Sequence, residues 1–65
     1  MYISESTIKK ILKEAGAGRI STDACAELQK YLNREAFSVA QKAVRFSRHA
    51  KRKTIDASDV KLAYA

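Results

Sequence analysis

The chain has 65 residues, a formal net charge of +6 and 31% charged residues, with one cysteine, Cys25, and one histidine, His49. A domain this small buries too little surface to be stable alone, and such chains usually need disulfides, a metal or a partner chain. One cysteine excludes an intrachain disulfide, and one Cys with one His fall short of the four ligands of a structural zinc site. Oligomerisation is therefore the expected source of further core, with no metal.

The cysteine content and the absence of long apolar runs bear on the cellular compartment. A lone cysteine suits a reducing compartment. No apolar run approaches the ~20 residues of a membrane-spanning helix, and the first residues lack the basic and apolar regions of a secretory signal. We expect a cytoplasmic protein that does not bind membranes.

Positive charge is concentrated in one segment. Residues 1–41 contain six Lys or Arg against five Asp or Glu (+1), residues 42–53 contain six against none (+6), and residues 54–65 contain one against two (−1). A charge run is often only a solvated helix face. A dozen residues without a compensating acid instead favour an anionic partner.

The first predicted element is a short helix. Its apolar stripe consists of four residues at helical spacing: Ile8, Ile11, Leu12 and Ala15. Ser4 or Ser6 is suited to cap its start. Gly16 and Gly18, the only glycines, predict its end.

A long helix is predicted next. Ser21 is a good N-cap, and no helix-breaking residue occurs from Thr22 to about His49. This span of about 28 residues is roughly 42 Å long at 1.5 Å per residue. Its apolar residues cover about two-thirds of the circumference, more than two short helices of the same chain can bury. The sequence therefore predicts a second copy, or a similar chain, packed across the long helix.

The basic run AKRKTI interrupts the helical pattern. Asp56 is then expected to cap a last short helix, with Asp59 three positions on as in a capping box. The apolar positions of that helix are Ala57, Val60, Ala63 and Tyr64. The predicted fold is all-α, a single domain over residues 1–65 with short, long and short helices.

Both predicted loops resemble those of the histone fold, most closely those of the small tailless archaeal histones. The first loop reads EAGAGRIS and the second, more specific one reads RHAKRKTIDASDVKLA. The resemblance covers essentially the whole chain. It implies a head-to-tail dimer that binds, wraps and compacts double-stranded DNA without sequence specificity. It also implies tetramers or longer nucleosome-like particles, associated with the chromosome.

The resemblance implies DNA contacts residue by residue. Arg19 would enter the minor groove beside Thr54 of the partner subunit, and Lys53 would contact phosphate. Free backbone N–H groups at helix starts also suit phosphate binding. The predicted DNA-binding set lies in the two loops and on the adjoining helices: Lys9, Lys10, Lys13, Arg19, Ser21, Arg45, Lys53 and Thr54, with Lys51 as an extra cation that the resemblance does not supply.

Protein contacts are implied in the same way. Arg52 and Asp59 match a structural ion pair, and Gly16 would permit close stacking of layers. The expected dimer core contains four apolar residues of the long helix: Leu28, Leu32, Val39 and Ala43. The implied contact between dimers contains Phe46, His49, Asp59 and Leu62.

Several positions depart from the family pattern, among them three lysines. Lys51 stands where glycine is usual, so the long helix is expected to end without the common left-handed cap. Lys30 and Lys61 stand where related histones place opposite charges between stacked turns, and two lysines would repel each other there.

Some residues have simpler explanations. Cys25 lies on the apolar arc, which favours buried packing over a reactive or metal-binding role. His49 also fits a helix-end histidine stabilised by the helix dipole. Gln29 and Asn33 have no obvious role in reading bases. No catalytic constellation is present, so we expect neither an enzyme nor a cofactor.

Two other functions stay open. One is a histone-fold dimerisation subunit of a transcription-regulatory complex, a class in which the DNA-contact residues are often lost. Arg19 and the basic second loop count against it. The other is a helix-turn-helix repressor, which would need a polar, base-reading helix that the sequence does not contain.

Overall fold

The structure is a computed structural model that describes residues 2–65; Met1, which the predicted domain includes, lies outside the described residues. Within residues 2–65 there is no strand. The three helices are α1 (Glu5–Glu14), α2 (Thr22–His49) and α3 (Ala57–Tyr64). The predicted all-α order of short, long and short helices is confirmed.

Two compact units divide the chain, Met1–Arg34 and Glu35–Ala65. In the first unit, Ile8 of α1 and Cys25 of α2 are fully buried. The Sγ atom of Cys25 lies 3.6 Å from the carbonyl oxygen of Glu5. Buried packing of Cys25 is thus confirmed.

Serine hydroxyls cap the N-termini of α1 and α2. Of the two candidate caps for α1, Ser4 is the one in place, and its Oγ accepts a hydrogen bond from the Thr7 N–H at 3.3 Å. At the start of α2, Ser21 Oγ accepts from the Ala24 N–H at 3.0 Å. Each serine satisfies a backbone donor that has no partner within its helix.

The end of α1 is a Schellman motif. The N–H of Gly16 donates to the Lys13 carbonyl and the N–H of Ala17 donates to the Leu12 carbonyl, both at 3.0 Å. Gly16 has φ +106°, a conformation that glycine adopts without a Cβ clash. The predicted helix stop is confirmed at this residue.

The end of α2 corrects the prediction for Lys51. The N–H of Lys51 donates to the Arg48 carbonyl and the N–H of Arg52 donates to the Ser47 carbonyl, both at 2.9 Å. Lys51 has φ +58°, so the left-handed cap is formed despite the absence of glycine. The prediction was wrong because the capping hydrogen bonds are made by the backbone and do not require a particular side chain.

The second unit ends in α3, for which Asp56 is the N-cap as predicted. The carboxylate of Asp59, in the first turn, accepts a hydrogen bond from the Asp56 N–H at 2.8 Å. Ala63, on the apolar stripe, is buried, whereas Val60 and Tyr64 of the same stripe are exposed. The stripe is therefore only partly covered by its own chain.

Few apolar side chains are buried by the chain itself. From residue 2 onward, the buried ones are Ile8, Cys25, Ala43 and Ala63. Among residues 2–65, nine large apolar side chains are more than one-third exposed, including Tyr31, Phe37 and Leu62. Because the stabilisation from burial scales with the apolar area removed from water, this exposure forgoes a substantial part of it. The exposed apolar area is available for contact with a partner.

Candidate nucleic-acid interface

Arg52 is the centre of the second loop, which joins α2 to α3. Its Nη2 lies 2.7 Å from Asp59 Oδ1 and its Nη1 lies 3.0 Å from Asp59 Oδ2, a bidentate pair. The same Nη1 is 3.1 Å from Asp56 Oδ2 and donates to the Thr54 carbonyl at 3.2 Å. A planar guanidinium suits this arrangement because its donors form a fixed fork. The pair implied by the family resemblance is present in the structure.

The ion pair between Arg52 and Asp59 shifts the pKa values of both groups. The hydrogen bond from Arg52 holds the pKa of the Asp59 carboxyl below its ordinary value of 3.8, and the bond from the Asp56 N–H acts in the same direction. The hydrogen bond to Asp59 likewise raises the pKa of Arg52. Both groups are therefore charged at neutral pH, and the acids of this segment are already engaged within it.

Ser47 holds the loop from the helix side. It is buried, and its Oγ lies 3.1 Å from the carbonyl oxygens of both Arg52 and Thr54. Its single hydroxyl proton is shared between these two acceptors. The Thr54 carbonyl thus has a donor from Ser47 and another from Arg52, which fixes the backbone of the loop.

The remaining cations of this segment face solvent. Arg45, Lys51 and Lys53 are exposed, as is Thr54. Within residues 2–65, ion pairs with Asp56 and Asp59 are formed by Arg52. The loop therefore presents positive charge on a backbone that its own hydrogen bonds hold in place.

The first unit carries the other predicted DNA-binding residues. Lys9, Lys10, Lys13 and Arg19 are all exposed. Lys9 forms an ion pair with Glu5 at 3.4 Å, one turn earlier on α1. Such a pair between exposed side chains is weak, so it leaves Lys9 available to an anion.

Predicted dimer-core residues differ in burial. Ala43 is buried, whereas Leu28, Leu32 and Val39 are half-buried in the single chain. Side chains of this kind on a long helix have room for further packing against a partner. Their assignment to a dimer core stays a prediction.

The residues predicted to join dimers also differ. Phe46 and His49 are exposed, and Leu62 is 62% exposed. Asp59 is only 4% exposed, and its oxygens already accept from Arg52 and Asp56. Gly16, predicted for layer stacking, is exposed, and nothing lies within 4 Å of the position that a Cβ would take.

Sequence patterns missed the two polar residues of α2 that hold the N-terminal segment. Asn33 is buried, and its Oδ1 accepts from the Ile3 N–H at 2.6 Å. Gln29 Nε2 donates to the Ile3 carbonyl at 2.9 Å. Polar residues at the edge of an apolar arc were the available signal, and Ser47 gave the same signal near the other end of the helix.

Neither a metal-binding cluster nor a membrane-spanning helix is found within residues 2–65. Over residues 2–65, no three His, Cys, Asp or Glu side chains cluster in a way that would hold a metal ion. No helix in the same range is both long and apolar enough to cross a bilayer.

A long helix flanked by two short ones, with an ion-paired basic loop before the last helix, defines a histone-fold protein. Residues 1–64 match the family described as histone-like transcription factor (CBF/NF-Y) and archaeal histone, and the chain belongs to that family. Family membership gives it a DNA-binding role in chromatin and implies dimerisation, and it is not an enzyme.

Two curated proteins show the same relationship. The chain is 48% identical over 56 residues to one of the subunits of archaeal histone HAN1 from Thermococcus zilligii, and the match covers 86% of this chain and 84% of that protein. It is 44% identical over 54 residues to Probable archaeal histone 3 of Methanocaldococcus jannaschii, and the match covers 83% of this chain and 81% of that protein.

Proposed function

We propose that the protein is a homodimer that binds duplex DNA through its phosphates, bends it around the basic surface and compacts it. One observation carries the proposal: Arg52 engages both acids of its segment, Asp56 and Asp59, while Lys53 stays exposed on the loop that Arg52 holds. Positive charge left uncompensated on a fixed backbone is suited to a polyanion. Association with the chromosome is part of this proposal.

In the proposed complex the two loops act together. The first loop of one protomer lies beside the second loop of the other, and Arg19 enters the minor groove. Lys53 and the N–H groups at the start of α2 contact phosphates. Binding of this kind depends on how easily the DNA bends and not on base identity.

A salt titration of DNA affinity tests the proposal. Wild-type protein is titrated against two short duplexes of unrelated sequence between about 50 and 200 mM salt, and a steep, equal loss of affinity on both is expected. Arg19→Ala and Lys53→Ala should each flatten the slope of log K against log salt by about 0.9 per copy, or about 1.8 for a dimer. The matched control is Lys61→Ala, which removes a charge outside the proposed contact set.

Two other results of the salt titration would each favour one of the alternative functions. A flat salt response with an intact dimer would favour a dimerisation subunit of a regulatory complex. Loss of binding on one duplex only would favour a sequence-specific reader.

We further propose that assemblies on DNA are short. Lys30 and Lys61 would place like charges between stacked turns, and like charges at close range repel. Dimers would still join through Phe46, His49, Asp59 and Leu62. Nuclease digestion of saturated DNA should then give one protected size, whereas a regular ladder would show extended stacking.

A further inference from the structure

The conformation of Lys51 is unusual for its residue type. It is the one non-glycine residue with positive φ within residues 2–65. An L-residue in this region brings its Cβ close to the backbone, whereas glycine has no such clash. Any residue with a Cβ at this cap therefore carries a conformational cost.

The same chain makes the same cap with glycine elsewhere. The hydrogen bonds of Gly16 and Ala17 at the end of α1 correspond one for one to those of Lys51 and Arg52 at the end of α2. The two caps thus share their bonding and differ in the residue at the left-handed position. The end of α2 does not need a lysine for its hydrogen bonds.

The side chain of Lys51 also has no evident role in folding its own chain. The residue is exposed, and within residues 2–65 the ion pairs of this loop run from Arg52 to Asp56 and Asp59. What the lysine supplies is a second exposed ammonium group two positions before Lys53, on the loop that Ser47 and Arg52 hold in place.

We propose that Lys51 binds a DNA phosphate oxygen, and that its left-handed conformation lowers the stability of the free protein. The inference rests on the proposed DNA-binding function and deepens it. Two properties of the residue then have different effects. Its charge raises the affinity for DNA, and its Cβ lowers the stability of the free protein.

Substitutions at one position separate the two properties. Lys51→Gly removes both the charge and the Cβ, and Lys51→Asn removes the charge with a residue that tolerates positive φ. Lys51→Arg retains the charge and the clash. Lys61→Gln is the control for net charge, because it and Lys51→Asn each lower the formal charge of +6 by one.

Two measurements are made on each variant: the salt dependence of binding to a short duplex, and thermal unfolding without DNA. Lys51→Gly and Lys51→Asn should flatten the salt slope by about 1.8 for a dimer, whereas Lys51→Arg and Lys61→Gln should keep the wild-type slope. Lys51→Gly should raise Tm by about 4–8 °C for a chain of this size, and Lys51→Arg should leave Tm unchanged.

Contrary results are distinguishable. A wild-type slope in Lys51→Asn and Lys51→Gly, with steep salt dependence preserved, would overturn the phosphate contact and leave the proposed function standing. A Tm that falls in both variants would show that the lysine stabilises the protein and would also overturn the inference. Absence of salt dependence in the wild type would remove the proposed function itself.

Discussion

Asp59 is the residue that joins the second loop to α3. It accepts two hydrogen bonds from Arg52 and one from the backbone of Asp56, and it is almost fully buried. A buried carboxylate is tolerated only when it is paired and hydrogen-bonded in this way. Its protonation should therefore loosen the loop.

The pH dependence of stability follows from the direction of this pKa shift. Because the folded pKa of Asp59 lies below 3.8, the unfolded chain takes up the proton first as the pH falls. The stabilisation is complete above the unfolded pKa and is lost as the pH falls through the folded one. Urea unfolding between neutral pH and strong acid should show Asp59→Asn less stable than wild type at neutral pH, but with a shallower loss below about pH 4.

The control for this series is Asp23→Asn, which removes an exposed acid from the first turn of α2. It should retain the acid-dependent loss seen in wild type. Parallel pH profiles for wild type and Asp59→Asn would contradict a stabilising role for the carboxylate.

Ser47 is the second residue whose side chain holds the backbone of the second loop. Ser47→Ala removes the donor that serves the carbonyls of Arg52 and Thr54, and we expect a loss of about 1–3 kcal/mol in the free energy of unfolding. Ser38→Ala, half-buried on the same helix, is the matched control and should change stability little. If both variants unfold at the same urea concentration, the hydroxyl does not hold the loop.

At the scale of elements, the helix boundaries could be predicted because local chemistry sets them. Ser4, Ser21 and Asp56 stand at the three N-caps, and Gly16 ends α1. The cap at Lys51 was missed because a left-handed residue with a Cβ costs about 1–2 kcal/mol, which is small enough for other interactions to override. Sequence pattern alone gives no measure of those interactions.

The polar contacts of α2 were not predictable for a different reason. Periodicity marks a residue as polar or apolar, but it does not show which distant group a polar side chain will meet. Asn33 binds the backbone of a residue 30 positions earlier, and Gln29 binds one 26 positions earlier. The candidate DNA residues came from family resemblance, since spacing alone does not distinguish a phosphate contact from a solvated lysine.

The contact between α2 and the N-terminal segment gives an element-scale prediction. Gln29→Ala leaves the Ile3 carbonyl without the donor at 2.9 Å, and we expect a loss of about 1 kcal/mol. Faster hydrogen exchange at the Ile3 amide should accompany it, because the segment is then held by Asn33 alone of this pair. Urea unfolding and amide exchange measure the two effects.

Gln41→Ala is the matched control, an exposed glutamine on the same helix. It should leave both the unfolding midpoint and the exchange of Ile3 unchanged. Equal destabilisation by the two variants would mean that the contact with Ile3 contributes nothing specific.

At the scale of the whole molecule, the pattern of burial favours a partner chain. In the described part of the chain, the buried apolar residues are two alanines, one cysteine and Ile8, which is the only large aliphatic side chain among them. Tyr31, Phe37 and Leu62 are all at least 49% exposed. A domain of this size has little stability in reserve, so a second chain is the expected source of the missing core.

Dimerisation linked to folding makes thermal stability depend on concentration. If folded chains exist only as dimers, mass action raises Tm as the protein concentration rises. Thermal unfolding over a wide dilution series, with molar mass measured by sedimentation on the same samples, should show a rising Tm and a dimer at every concentration at which the chain is folded. The expectation is the same without DNA, because the apolar surface is present in the free protein.

The Val39→Asp variant tests the predicted dimer core, because it places a charge at a half-buried position of α2. Burying an unpaired charge is strongly unfavourable, so the variant should unfold at a lower temperature and dissociate at higher concentration than wild type. The control Gln41→Asp adds the same charge at an exposed, polar position of that helix and should have a much smaller effect. A folded wild-type monomer with a Tm independent of concentration would contradict the dimer, and it would remove the pairing of loops on which the proposed DNA surface depends.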